Sequence, residues 1–125
     1  MGHRLLFWLG AIWTVFVLIA CLSEGSSVPK VSMLNIPHKD KIAHFVFYLV
    51  FTVLWYNYAA KRRQKISKVS LTFVIFTLVV VIGGSIELMQ YYCTSSRSAE
   101  WADFFANCLG SSIGLILCNA TIKKW

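Results

Sequence analysis

Apolar residues run almost without interruption over four stretches of the chain, about residues 5–22, 42–60, 69–86 and 101–119. Each is close to the roughly 20 residues that a helix needs to cross about 30 Å of hydrocarbon. The third stretch, VSLTFVIFTLVVVIGG, is rich in β-branched residues. Its length and its lack of apolar/polar alternation nevertheless predict a membrane helix rather than a strand. The fourth has Asp103 and Asn107 inside its opening turns, which places those turns at headgroup level or within a bundle. Backbone polar groups in lipid must be satisfied within their own segment. The pattern therefore predicts an all-α fold, a four-helix transmembrane bundle forming a single domain over residues 1–125.

The polar positions are as ordered as the apolar ones. SEGSSVPKVSMLNIPHK, residues 23–39, reads as a loop in which Pro29 and Pro37 prevent a continuous helix. The second span opens at Asp40, an acid in a first turn where the helix dipole favours one. Lys41, His44 and Tyr48 then recur at i, i+3 and i+7, so they share a face, and Asp40 lies four residues before His44. On the third span Gly83 and Gly84 permit a close approach or a local bend, and Glu87 and Gln90 share a face just beyond them. On the fourth, Asp103, Asn107, Gly110 and Gly114 follow at steps of four, three and four residues. The upper part of that stripe is polar, and GSSIG below it is a packing surface of small residues. Stripes of this polarity are expected to face the bundle interior. With Arg97 from the preceding connection, Asp40, Lys41, His44, Tyr48, Glu87, Gln90, Asp103 and Asn107 would then converge on one pocket at one membrane interface.

The composition, 125 residues with 58% hydrophobic and 14% charged, fits one membrane-embedded unit and not a soluble domain. A net charge of +7 invites a nucleic-acid reading until the charges are located. Arg4, the five cations of KRRQKISK (Lys61, Arg62, Arg63, Lys65, Lys68), Lys123 and Lys124 all fall on one side of a four-span hairpin arrangement. The positive-inside rule makes that side cytoplasmic. Both termini are then inside, and the segments 23–39 and 91–100 are outside. The acids Glu24, Asp40, Glu87, Glu100 and Asp103 lie toward the outer ends. Membrane lipids, not nucleic acid, are the expected partners.

The cysteines carry no metal or redox spacing. Cys108 and Cys118 read as apolar filling, and Cys21 and Cys93 are the pair placed to meet in a disulfide at the outer face. LIAC, ending at Cys21, also resembles a lipoprotein cleavage site, against which stands an apolar run long enough to remain as a span. N-myristoylation is disfavoured because Leu6 stands where that motif has Ser or Thr.

DKIAHFVFY, residues 40–48, resembles the D-K-x-x-H-x-x-x-Y signature of the VanZ-like membrane proteins. Glu87, Gln90, Arg97, Asp103, Asn107, Gly110 and Gly114 resemble the family's E-x-x-Q, R and D-x-x-x-N-x-x-G-x-x-x-G pattern. The resemblance covers about residues 36–115 in the expected order, and Glu100 stands where relatives carry an acid of either kind. It implies a small multi-pass protein of the bacterial cytoplasmic membrane. The family takes its name from a protein associated with resistance to teicoplanin-type lipoglycopeptides, and relatives have been proposed to belong with membrane enzymes that process lipid headgroups. Fold carries over from such a resemblance better than activity does.

These residues divide by chemistry. His44, Asp103 and Glu87 are the expected catalytic groups, with His44 as general acid or base and Asp40 or Glu87 orienting its second nitrogen. Asp40, Lys41, Tyr48, Gln90, Arg97 and Asn107 are the expected substrate-binding groups, Arg97 clamping a phosphate bidentately and Lys41 adding a point charge. Arg97 is equally suited to pair with Glu87 or Asp103 and hold the bundle. A metal site of His44 and nearby carboxylates has no fixed ligand spacing to support it, and neither metal nor other cofactor is expected. Ser95, Ser96 and Ser98 lie beside Arg97 without a nucleophile elbow. The tryptophans read as interfacial belts and packing, with Trp101 the one placed to line a headgroup pocket. Two function classes follow: a protein that binds and modifies a phospholipid or lipid-linked headgroup at the outer leaflet, or a non-catalytic envelope protein whose polar cluster is structural.

Overall fold

The computed structural model describes residues 2–22, 39–63, 65–93 and 101–122, with the side chains of Lys39, Asp40 and Cys93 outside that description. The described residues form four helices, α1 (His3–Leu22), α2 (Lys39–Arg62), α3 (Lys68–Cys93) and α4 (Trp101–Thr121), each long and apolar enough to cross a membrane. The spans begin and end close to the expected positions except at the end of α3. That helix continues through Glu87 and Gln90 to Cys93, because no proline follows Gly84 to stop it. Its 26 residues measure about 39 Å at 1.5 Å per residue, so it projects past the hydrocarbon or crosses it at a tilt.

Cross-helix contacts give the directions of the helices. His44 meets Asn107, Thr52 meets Ser111 and Tyr56 meets Asn119, so α2 and α4 run parallel. Gln90 of α3 reaches Cys21 of α1, which sets those two parallel as well. The short link between α2 and α3 closes with Arg63 and Ile66 amides bonding to the carbonyls of Ala59 and Arg63, and Ser67 caps α3 through its Oγ, which accepts from the Ser70 amide at 3.1 Å. The result is an up-down-up-down bundle. α2 and α4 share the most extensive interface, and α1 packs on α2 and α3 but scarcely on α4.

Two glycines make the α2–α4 contact close. A Cβ on Gly110 would run into the backbone carbonyl of Phe45, and one on Gly114 would sit 3.1 Å from the Thr52 side chain. The expected small-residue surface of GSSIG is therefore the seam against α2, which Ser111 and Thr52 close with a 2.8 Å hydrogen bond. On the other side Gly10 of α1 receives the Trp55 indole, whose Nε1 donates to Thr14 Oγ1 at 3.1 Å, and Trp13 Nε1 donates to the Phe47 carbonyl at 2.9 Å.

Polarity is arranged as lipid requires. Phe73 (69% exposed) and Ile12 (65%) face outward, whereas Thr52, Asn107, Ser111 and Gln90 are buried. A lateral groove of about 540 Å³ runs between α1, α2 and α3, lined by Trp55, Ile75 and Leu78 with Arg63 among its walls. Cys21 is buried, and the side chain of Cys93, its expected disulfide partner, lies outside the described residues. The carbonyl of Cys21 is bonded by Gln90.

Candidate functional site

Three helices deliver the polar side chains to one end of the bundle. α2 contributes Lys41, His44 and Tyr48 on one face, α4 contributes Asp103 and Asn107 one turn apart, and α3 contributes Glu87 one turn beyond Gly83. Glycine at 83 leaves room for this layer. A Cβ there would lie 3.2 Å from Asn107 Nδ2 and 3.7 Å from Tyr48 Oη. Of the two readings of Gly83 and Gly84, close approach holds at Gly83, and the helix runs on through both.

His44 is the centre of the cluster and is 3% exposed. Its Nδ1 lies 2.9 Å from Asn107 Oδ1, and its Nε2 lies 3.7 Å from Asp103 Oδ2. An amide oxygen only accepts, so Nδ1 carries the proton of that bond, and Nε2 is left facing Asp103. Among the described residues Asn107 holds Nδ1, because the register of α4 on α2 sets it beside the ring, and the side chain of Asp40, one of the two expected orienting partners, lies outside the described residues. Lys41 Nζ lies 3.8 Å from Asp103 Oδ1, with its side chain 34% exposed, so the lysine forms the solvent-accessible rim of an otherwise buried site. One donor atom from each of His44, Glu87 and Asp103 lies within 4.8 Å of the others, and all three residues are buried.

The remaining expected residues divide. Tyr48 and Asn107 are each 1% exposed, and neither Tyr48 Oη nor Asn107 Nδ2 has a hydrogen-bond partner among the described residues. Gln90 is 1% exposed and donates from Nε2 to the Cys21 carbonyl at 2.6 Å, satisfying one of the last carbonyls of α1. Trp101 is 78% exposed, and its ring contacts among the described residues are Phe104 and Phe105 of its own helix. It thus stands outside the cluster. The Asp40 side chain, Arg97, Glu100, Ser95, Ser96 and Ser98 lie outside the described residues.

A second polar network at the opposite end of the bundle went unread in the sequence. Tyr56 Oη donates to Asn119 Oδ1 at 3.1 Å, Asn119 Nδ2 donates to Thr72 Oγ1 at 3.1 Å, and Asn57 Nδ2 lies 3.7 Å from Cys118 Sγ. Lys68 Nζ donates to the carbonyls of Asn119 and Ile122, neutralising the end of α4. Asparagines at 57 and 119 within apolar helices were the available signal. This end satisfies its own groups, as helix-to-helix glue does.

A family model described as VanZ/LLP1 matches residues 13–123. The chain belongs to the VanZ/LLP1 family. The match takes in α2, α3 and α4 entirely, including His44, Glu87, Asp103 and Asn107, together with the second half of α1. No curated protein and no solved structure matches the chain. Membership with four apolar helices makes this VanZ-like chain a multi-pass membrane protein.

Proposed function

We propose that this VanZ-like protein binds the phosphate-bearing headgroup of a phospholipid or lipid-linked sugar at the outer leaflet of a bacterial cytoplasmic membrane, and that its buried cluster acts on that headgroup. The observation that carries the reading is the layout of the site: a half-exposed Lys41 at the rim, and directly beneath it a buried histidine whose Nε2 faces a carboxylate. Lysine attracts an anion, and the histidine and acids supply proton-handling chemistry at the depth where a headgroup oxygen would enter. Arg97, close in sequence, adds a bidentate phosphate contact in this proposal. The basic KRRQKISK segment and both termini lie in the cytoplasm, which turns the His44 end outward.

Native mass spectrometry of the protein released from vesicles tests binding. Phosphatidylglycerol, a polyprenyl-phosphate sugar and inorganic phosphate, offered separately, distinguish an intact lipid from its free headgroup chemistry. Retention of one lipid class, lost in Lys41→Ala, is the expected result. Equal retention of all lipids by wild type and Lys41→Ala would remove the reading.

The non-catalytic alternative has its own observation. Gln90, expected among the binding groups, is bonded to the α1 carbonyl, and Asn107 is bonded to His44. On that reading the cluster fastens helices, and its variants lose the fold and not a reaction.

A further inference from the structure

We infer that His44, Glu87 and Asp103 form a binding site for a divalent first-row metal ion, Zn²⁺ or Mn²⁺ by donor type. The inference rests on the geometry of these three side chains and does not require the headgroup reading. Their donor atoms, one nitrogen and two carboxylate oxygens, come from three different helices yet lie within 4.8 Å of one another in a buried position. At 3.7 Å, His44 Nε2 and Asp103 Oδ2 are too far apart for a good hydrogen bond. A tetrahedral ion with bonds of about 2.0–2.2 Å holds its donors roughly 3.3–3.6 Å apart, so the widest of these separations closes by up to about 1.5 Å, a movement that side-chain rotation supplies.

A second feature is independent of the acids. Asn107 Oδ1 accepts from Nδ1 of His44 at 2.9 Å, which holds the ring so that Nε2 is the nitrogen turned to the site, as the outer partner of a metal-bound histidine does. Nε2 faces a carboxylate. Beneath, the Tyr48 hydroxyl, 1% exposed and without a hydrogen-bond partner among the described residues, lies beside Asn107 Nδ2 against Gly83, one turn below Glu87. Imidazole with carboxylates suits first-row transition ions, whereas Mg²⁺ favours an all-oxygen shell. Lys41, 3.8 Å from Asp103, leaves this site less negative than its carboxylates alone would make it. An ion bound here would bring a Lewis acid to an anion held at the rim.

The test uses full-length protein in detergent, stripped with a chelator and dialysed against Zn²⁺, Mn²⁺ or Mg²⁺ with no lipid substrate added. We expect Zn²⁺ or Mn²⁺ to be retained at one ion per chain and Mg²⁺ to be lost. Retention should survive in His3→Gln/His38→Gln and disappear in Glu87→Gln/Asp103→Asn. Asn107→Ala should weaken it roughly tenfold or more, the usual effect of removing the partner that orients a ligand. No retained ion, or equal retention in Glu87→Gln/Asp103→Asn, overturns the site. Should that double variant not fold, Mn²⁺ bound to His3→Gln/His38→Gln decides instead. Nitrogen coupling from an imidazole in its electron-nuclear spectrum then identifies His44, and its absence overturns the assignment. Ion binding without lipid retention would leave this site standing while removing the headgroup reading, and lipid retention by an ion-free protein would do the reverse.

Discussion

The side chain of Gln90 shows how a polar residue in lipid finds its partner. Its Nε2 donates to the carbonyl of Cys21 in the last turn of α1, where a helix leaves its final carbonyls to outside donors. Leucine at this position would remove that bond from a buried acceptor, at a cost of roughly 1–3 kcal/mol. Gln90→Leu should therefore lower the thermal midpoint in detergent. Lipid retention by the folded fraction should stay at the wild-type level, and selective loss of retention at an unchanged midpoint would return Gln90 to the binding groups. The sequence placed Gln90 beside Glu87 on α3 correctly, since helical spacing alone does that. It was silent on the carbonyl, because backbone acceptors at a helix end leave no mark in the residue pattern. Asn107 shows the same limit: its place one turn after Asp103 was legible, its bond to His44 was not. Arg97, the strongest phosphate ligand in the sequence reading, belongs to the segment outside the described residues.

Between helices, the register that aligns His44 with Asn107 depends on how closely α4 approaches α2. Gly110 sets that approach, since a Cβ there would collide with the Phe45 carbonyl, which is backbone and cannot rotate away. Gly84 provides a contrast, because its Cβ would meet nothing nearer than Phe104 Cε2 at 3.9 Å. Gly110→Ala should destabilise the bundle by roughly 1–3 kcal/mol through overpacking, whereas Gly84→Ala should be neutral or stabilising by up to about 1 kcal/mol, from helix propensity. Equilibrium unfolding in mixed micelles checks both, and equal effects at the two sites would contradict the seam. The small-residue repeat of α4 made a close contact predictable. Its partner helix was not, because Gly110 and Gly114 reveal which face is small and not what fills it.

Helix number and membrane character were readable from span length and polarity, both of which lipid enforces strongly. Convergence of the polar stripes was readable for the same reason: a buried histidine and two acids cannot face hydrocarbon. Orientation rests on the cations of KRRQKISK and the termini. Membrane-impermeant maleimide should fail to label a cysteine at Lys65 in intact cells on a cysteine-free background, and external labelling there would invert the bundle. That inversion would move the His44 end to the cytoplasmic leaflet. Whether the cluster acts on headgroups or only supports the fold is tested most directly by measuring headgroup turnover and thermal midpoint on the same vesicle preparations of wild type, His44→Ala and Asp103→Asn. Turnover should fall by roughly 100-fold or more in both variants while the midpoint stays near that of wild type. The contradicting result is a loss of folded protein in both, at the roughly 3–5 kcal/mol cost of stranding a buried charge, with the surviving fraction turning over headgroups at the wild-type rate.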